Sequence, residues 1–484
     1  GVERKLPVPK GDVLHQFRKD VESGQLPSVS WLVPSQNFSD HPDSPWYGSW
    51  LTSEILDILT KNPEVWKKTI FILTYDENDG YFDHVPPFVA PDPKDPLTGK
   101  CSPGINTSGE YVRLENELNQ GVGKKEARGG PIGLGFRVPM IIASPWSRGG
   151  KVCSQVFDHT STLQFLEEFL NKKFNKNIKE ENISDWRRTV CGNLTSVFTL
   201  YDENKKHVPY LSRDPFLEKI YNAKFKEEPS SFKKLTGDEI KKINLDPATS
   251  QAMSTQEPGT RPANPLPYQL YASGKLSSDK KHFEINIEAR NEIFGNRAAG
   301  SPFIVYAPGE YLSLESERKN QKNFEQARAW HYALTAGNKL TEKWSMDAFG
   351  NNNYHLRVYG PNGFFREFTG NGKDPELEIG CDYERSRLSK NKLTGNLELN
   401  IKNLDSKDSR NIKVIDHGYG KPPSFKKISA SGEEIIVLNL KESSGWYDFS
   451  IAVKDSNEFS RRYAGRVETG DESISDPLLG RSEI

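Results

Sequence analysis

The stretch Ile70-Phe71-Ile72-Leu73-Thr74-Tyr75-Asp76-Glu77-Asn78-Asp79-Gly80 joins an unbroken apolar run to a cluster of carboxylates. A short apolar run that follows a helical pattern is typical of a central parallel strand covered on both faces. In open α/β sheets, ligands bind beyond the carboxyl ends of such strands. The sequence therefore predicts an α/β fold with a functional site directly after this strand.

Working outward from this run, the first 200 residues alternate between helical and strand patterns. Strands are predicted at 29–33 and 138–143, and Asp158 or Thr160 is predicted to cap a helix that continues past residue 170. A helix before the strand is predicted from apolar residues at helical spacing, namely Leu51, Ile55, Ile58 and Leu59. This alternation indicates an α/β region over residues 1–200.

The second half of the chain has a different pattern. Residues 201–262 are rich in Lys, Glu, Pro, Ser and Thr with weak periodicity, which predicts a linker. Beyond it, apolar residues alternate at period two, which predicts antiparallel sandwich domains at 263–372 and 373–472, followed by a tail at 473–484.

An internal repeat supports the two sandwich domains. The segment Tyr354-His-Leu-Arg-Val358 corresponds to Tyr447-Asp-Phe-Ser-Ile451. Each is followed by a matching set, Phe364, Arg366, Phe368 and Gly370 in the first copy and Phe459, Arg461, Tyr463 and Gly465 in the second. The spacing is that of one small sandwich domain, so the two segments are predicted to occupy equivalent strands.

Composition excludes several classes of protein. The 65 basic and 66 acidic residues leave a net charge of −1, so no nucleic-acid partner is expected. No apolar run approaches the roughly 20 residues that span a bilayer. The four cysteines form no CxxC pair, which argues against a zinc knuckle or a redox dithiol.

The acidic cluster after the first strand predicts a metal site. Adjacent carboxylates repel unless a cation lies between them, although a solvated acidic loop remains the alternative. His41 follows the strand predicted at 29–33, where it could donate to a phosphoryl oxygen, protonate a leaving alkoxide or cap a loop. The same choice applies to His159, where a helix N-cap is the alternative.

Six ordered motifs resemble bacterial phosphocholine-type phospholipases C of the phosphoesterase family, which also includes acid phosphatases. They are Val29-Ser-Trp-Leu-Val-Pro34, Ser39-Asp-His-Pro42, Tyr75-Asp-Glu-Asn-Asp-Gly-Tyr-Phe-Asp-His-Val-Pro-Pro87, Gly133-Leu-Gly-Phe-Arg-Val-Pro139, Ser144-Pro-Trp-Ser-Arg-Gly-Gly150 and Asp158-His-Thr-Ser161. The two β repeats resemble the paired C-terminal domains of the same enzymes.

The resemblance implies an alkaline-phosphatase-like α/β core in which a metal ion, a hydroxyl nucleophile and histidines hydrolyse a phosphate ester. Asp76 and Glu77 resemble the two carboxylate metal ligands, and His41 resembles a histidine that faces the phosphoryl group. His84 and His159 belong to family motifs and are further catalytic candidates. The hard oxygen ligands favour Ca²⁺, Mg²⁺ or Mn²⁺.

The function implied is that of a secreted or periplasmic phospholipase C that makes transient contact with a membrane surface. It would split phosphatidylcholine-type phospholipids into diacylglycerol and a phosphorylated head group. An acid-phosphatase-like phosphomonoesterase and a non-catalytic β-sandwich binding protein are the alternatives. In the family, a Glu-Asn metal-binding pair and the Ser or Thr nucleophile precede the region that matches residue 1. We therefore expect a chain that lacks an N-terminal catalytic portion and is inactive alone.

Overall fold

The computed structural model describes residues 11–39, 44–82, 85–203, 212–223, 225–227, 230, 232–247, 249–253, 258–319, 321–389, 392–454 and 456–480. The chain divides into two compact units. Unit one comprises Gly1–Thr74, Met140–Gly150 and Thr199–Glu257. Unit two comprises Tyr75–Pro139, Lys151–Phe198 and Pro258–Ile484.

The described residues form helices and strands with the following bounds. The α-helices are α1 (His15–Glu22), α2 (Pro45–Thr60), α3 (Pro63–Trp66), α4 (Leu114–Asn119), α5 (His159–Phe174), α6 (Asp185–Val190), α7 (Asp214–Ala223), α8 (Gly237–Leu245) and α9 (Leu314–Lys319). Short 3-10 helices are Gln36–Phe38, Pro96–Thr98, Ser108–Glu110, Thr195–Val197, Gly295–Arg297, Met346–Ala348 and Gly350–Asn352. The strands are β1 (Phe71–Thr74), β2 (Gly99–Cys101), β3 (Tyr111–Val112), β4 (Gly130–Pro131), β5 (Met140–Ala143), β6 (Pro262–Ala263), β7 (Leu270–Leu276), β8 (His282–Ala289), β9 (Ser301–Leu312), β10 (Phe324–Leu334), β11 (Asn338–Ser345), β12 (Asn353–Tyr359), β13 (Phe365–Asn371), β14 (Leu377–Arg385), β15 (Leu393–Asn403), β16 (Arg410–Asp416), β17 (Ser424–Ile428), β18 (Glu433–Leu438), β19 (Trp446–Val453), β20 (Ser456–Arg466) and β21 (Ser473–Ile474).

The core of unit one lies between α1 and α2. Helix α2 starts at Pro45, whose fixed φ suits the first helical position. Its predicted apolar face is confirmed, because all four of its members are buried against α1 side chains such as Phe17 and Val21. Phe71 of β1 packs partly against the same cluster.

The strand β1 is present, but its predicted parallel environment is wrong. It pairs antiparallel with β5, in a register that joins Phe71 to Ala143 and Thr74 to Met140. All four of its residues are only half-buried, so it is not a strand covered on both faces. Periodicity showed an apolar strand but could not show the direction of its neighbour.

The strand predicted at 29–33 does not form. These residues have no strand assignment, and Trp31 and Val33 are 70% and 84% exposed. A strand needs a hydrogen-bonded neighbour to satisfy its backbone groups, and none among the described residues pairs with this segment. Apolar composition alone was therefore misleading here.

The segment predicted as a linker contains two helices, α7 and α8. Thr236 caps α8 through a reciprocal pair of bonds with Glu239, in which each side chain satisfies a backbone N–H of the other residue. Arg213, next to the start of α7, binds Glu54 of α2 at 2.6 Å. Local capping thus builds helices in a stretch whose composition indicated none.

Unit two is dominated by two β sandwiches. The first β module, β7–β13, places a three-stranded sheet in the order β11-β8-β7 opposite β9, β10, β12 and β13. The second β module, β14–β20, places the sheet β14-β15-β18 opposite β16, β17, β19 and β20. Each has its own buried apolar core, which confirms the predicted sandwich fold.

The two β modules share one continuous sheet, in the order β17-β16-β19-β20-β13-β12-β9-β10-β2. The equivalent strands β13 and β20 pair antiparallel and place Glu367 opposite Arg462, with Arg366 opposite Tyr463 and Phe368 opposite Arg461. Because equivalent residues of the repeat occur in reciprocal pairs, the junction has approximate two-fold symmetry. The repeat segments lie in equivalent strands, as predicted.

The ninth strand of this sheet comes from the N-terminal half of the chain. Strand β2 pairs parallel with β10 and joins Gly99 to His331. A Cβ at Gly99 would lie 1.8 Å from the His331 carbonyl oxygen, so the close approach requires glycine. A buried cluster that includes Trp186, Val190 and Ala333 reinforces the junction. No helix among the described residues is long and apolar enough to cross a membrane.

Candidate active site

The acidic segment, residues 76–82, forms a tight turn after β1. Asp79 and Gly80 adopt φ values of 50° and 78°, and the Tyr81 N–H donates to the Asn78 carbonyl at 2.9 Å. Glycine reaches this region of φ without strain, which explains its place in the turn. The turn leaves Asp76 and Glu77 exposed to solvent.

The two carboxylates are available to a cation. Within the part of the chain that the structure describes, neither Asp76 nor Glu77 forms an ion pair, and no group of three His, Cys, Asp or Glu side chains could hold a metal. Two adjacent carboxylates are hard oxygen donors, so their chemistry fits Ca²⁺, Mg²⁺ or Mn²⁺. A complete coordination sphere would need ligands beyond these two residues.

His159 connects a distant motif to the acidic segment. It is the first residue of α5, and Asp158 before it, one of the two predicted cap residues, forms a reciprocal cap with Ser161. The His159 Nε2 lies 3.0 Å from the Asp76 carbonyl oxygen. A carbonyl can only accept, so Nε2 carries the proton and donates it to this bond.

The remaining predicted histidines cannot be placed. His41 and His84 lie outside the described residues, so their proximity to Asp76 stays a prediction. Of the five candidate residues, the structure therefore places Asp76, Glu77 and His159, and it joins two of them through a main-chain contact.

The structure also contains an ionic network that the sequence motifs did not indicate. Arg187 of α6 binds Glu110 at 2.8 and 3.0 Å, and Asp158 at 2.5 Å. The two carboxylate side chains are only 4% and 5% exposed. The partners lie 77 and 29 residues away in sequence, so no local pattern could have identified them.

These features define a protein with an acidic turn in an α/β region, followed by paired β sandwiches. The phosphoesterase family profile matches residues 4–171. The profile described as the bacterial phospholipase C, C-terminal domain matches residues 262–371 and 377–466. Residues 4–171 therefore belong to the phosphoesterase family, and the two β modules match the C-terminal domain of bacterial phospholipase C.

Several characterised proteins are similar to the chain. It is 34% identical to the non-hemolytic phospholipase C of Burkholderia pseudomallei over 97% of the chain and 59% of that protein. It is 35% identical to the hemolytic phospholipase C of Pseudomonas aeruginosa over 96% of the chain and 59% of that protein. Phospholipase C A of Mycobacterium tuberculosis is 41% identical over 40% of the chain and 34% of that protein. The chain therefore spans 59% of the length of the first two relatives.

Proposed function

We propose that this protein functions as a phospholipase C that hydrolyses the phosphodiester between diacylglycerol and the phosphorylated head group. Phosphatidylcholine-type phospholipids are the proposed substrates, met by transient contact with a membrane surface in a secreted or periplasmic location. The observation that carries the proposal is the bond from His159 Nε2 to the Asp76 carbonyl, because it joins two motifs that are 83 residues apart. The relatives named phospholipase C support the same conclusion.

Asp76 and Glu77 would hold the divalent metal ion, which we propose to be Ca²⁺, Mg²⁺ or Mn²⁺. A bound cation supplies Lewis-acid stabilisation of negative charge on phosphoryl oxygens. The turn at Asp79 and Gly80 presents the two carboxylates to solvent, where a phosphodiester could approach them.

His159 holds the main chain at Asp76 through its Nε2 proton. This contact fixes the position of the main chain from which the Asp76 and Glu77 carboxylates project. His41 and His84 are the proposed groups for donating to a phosphoryl oxygen and for protonating the leaving glycerol oxygen. Because the Nε2 proton of His159 is donated to a main-chain carbonyl, we propose the other two histidines for proton transfer.

A substrate comparison tests the proposal. Metal-loaded protein, combined with the additional segment present in its longer relatives, is assayed with p-nitrophenylphosphorylcholine, a diester, and with p-nitrophenyl phosphate, a monoester. We expect preferential turnover of the diester, loss of turnover with chelator, and loss of at least 100-fold of turnover in D76N and E77Q, because each variant removes one anionic oxygen donor.

The outcomes separate the alternatives. Preferential hydrolysis of the monoester would indicate a phosphomonoesterase and overturn the diesterase assignment. Absence of hydrolysis by the metal-loaded protein, assayed together with the additional segment present in its longer relatives, would favour a non-catalytic β-sandwich binding protein. E115Q, at an exposed position of α4, is the matched control and should retain wild-type turnover.

A further inference from the structure

A partly buried guanidinium is linked indirectly to both ends of the acidic segment. Arg187 of α6 donates from Nε and Nη2 to the two carboxylate oxygens of Glu110, and from Nη1 to Asp158 Oδ2. Its Nη2 also donates to the Gly133 carbonyl at 2.8 Å. The Arg187 side chain is 16% exposed. One planar group thus ties together three segments that are remote in sequence.

The first connection runs through α5 to the start of the acidic segment. Asp158 caps α5, and Arg187 holds the second carboxylate oxygen of that cap while Thr160 Oγ1 donates to the first at 2.6 Å. His159 follows directly and donates to the Asp76 carbonyl. Because both oxygens of Asp158 are bound, the first turn of α5 and its histidine are fixed.

The second connection runs through Gly133 to the end of the acidic segment. Gly133 has a φ of 70°, and a Cβ there would lie 2.5 Å from Val89 Cγ1, so its turn is tightly packed. Three residues further on, the Phe136 ring packs edge-on against Phe82 with centroids 4.8 Å apart. Fixing the Gly133 carbonyl therefore also restricts the aromatic side chain that contacts Phe82.

We propose that Arg187 is a positioning residue that holds both ends of the acidic segment in place, through His159 at Asp76 and through Phe136 at Phe82. The inference rests on the proposed function, because the segment matters for catalysis only if Asp76 and Glu77 hold the metal. The phosphoesterase profile matches residues 4–171, so the proposal assigns a role in the site to a residue outside the matched region.

The chemistry of the network requires arginine. The four bonds that Arg187 donates leave from three nitrogen atoms in one plane, which the guanidinium provides and a lysine ammonium does not. Loss of the guanidinium would leave Glu110 and Asp158 as two buried carboxylates without their shared cation. R187K keeps the charge, so it should restore part of what R187M loses.

The neighbouring Arg188 provides a matched control. It lies on the same helix and binds Glu167 of α5 at 2.8 and 2.9 Å, with the two side chains 19% and 14% exposed. It also donates to the Glu180 carbonyl at 2.7 Å. R188M therefore removes an arginine of similar exposure, 19% against 16%, whose carboxylate partner is less buried and which reaches neither Asp158 nor Gly133.

Amide hydrogen exchange on the full chain tests positioning without requiring activity. The probes are the amides of Tyr81, Leu134 and Ser161, which donate to Asn78, Phe88 and Asp158 respectively. We expect R187M to accelerate exchange at all three amides by at least tenfold, R187K to do so by less, and R188M to leave them within twofold of wild type. Equal acceleration in R187M and R188M, or none in either, would overturn the proposal.

Kinetics with p-nitrophenylphosphorylcholine, measured with the additional segment of the longer relatives present, provides the second readout. We expect R187M to lower kcat at least tenfold with KM within threefold of wild type, R187K to recover part of kcat, and R188M to match wild type. If R187M does not fold, the amide exchange rates of R187K and R188M are compared instead. Faster exchange at the three amides in R187K than in R188M would then support the proposal, and equal rates would overturn it. Faster exchange in a protein that hydrolyses neither ester would uphold positioning and reject the proposed function. Unchanged exchange in R187M, in a protein that hydrolyses the diester, would reject positioning by Arg187 and uphold the proposed function.

Discussion

Arg366 of β13 donates from Nη2 to the hydroxyl of Tyr447 on β19, over 3.0 Å and across the junction of the two β modules. The equivalent arginine, Arg461 of β20, donates to the hydroxyl of Tyr354 on β12 over 2.6 Å. Each β module thus completes the hydrogen bonding of a buried tyrosine in the other. The two arginine–tyrosine contacts differ chemically. Arg461 also forms an ion pair with the buried carboxylate of Asp374, whereas no described carboxylate forms an ion pair with Arg366.

This inequality predicts different costs for removing the two arginines. R461M leaves Asp374 buried without its cation and should lower the free energy of unfolding by about 3–5 kcal/mol. R366M leaves only neutral acceptors unpaired and should cost about 1–3 kcal/mol. Urea unfolding measures both. R462M is the control, because Arg462 pairs with Asp448 on the more exposed face and should cost about 1 kcal/mol or less. Equal losses in R366M and R461M would contradict the argument.

The glycines that accompany the two tyrosines should also differ in their tolerance of a methyl group. A Cβ at Gly370 would lie 2.3 Å from Asp374 Oδ1 and 2.4 Å from the Tyr354 hydroxyl. At Gly465 the nearest atom is the Tyr447 hydroxyl, 3.2 Å away. We expect G370A to be less stable than G465A by at least about 1 kcal/mol, because overpacking displaces buried polar groups. Thermal unfolding of the two variants checks the order, and the reverse order would refute it.

A pH dependence is predicted on the outer face of the shared sheet. Hydrogen bonding from His355 at 2.8 Å, with Arg357 at 2.6 Å, lowers the pKa of Glu367 from 4.5 to about 2. Above pH 4.5 this carboxylate is ionised in both the folded and unfolded chain, and its bonds stabilise the fold. Between pH 4.5 and 2 the unfolded chain takes up the proton first, so the stabilisation is lost as the pH falls.

The corresponding experiment compares wild type with E367Q by urea unfolding at pH 6, 4 and 3. The advantage of wild type should be greatest at pH 6 and should shrink at each lower pH. E458Q, at an exposed position of β20, serves as the control and should follow wild type throughout. A difference between wild type and E367Q that does not change with pH would show that the carboxylate charge is not the cause.

The role of His159 can be tested with two substitutions. H159L removes the donor to the Asp76 carbonyl, and a lost hydrogen bond of about 1 kcal/mol corresponds to a loss of kcat of about fivefold. H159Q retains an N–H donor and should remain closer to wild type in hydrolysis of p-nitrophenylphosphorylcholine. An equally severe loss in H159Q would assign the imidazole to proton transfer rather than to holding the main chain.

The sequence by itself determined the elements whose signals are local. Helix α2, a capped start of α5 and the alternating strands of both β modules follow from periodicity and capping signals within a few residues. The motif around Asp76 and Glu77 indicated the phosphoesterase family, and the profile matches confirmed it. The metal-binding and catalytic roles of the candidate residues stay predictions.

Only the tertiary structure decided which elements are neighbours. Strand β1 pairs with the antiparallel β5 rather than with a parallel partner, and residues 29–33 lie in no described sheet. Strand β13 pairs with β20, and Arg187 forms ion pairs with both Glu110 and Asp158. The physical reason is that a periodic pattern specifies which face of an element is buried but not what covers it. Strand direction and buried ion pairs depend on residues that are distant in sequence, and their geometry exists only after the chain has folded.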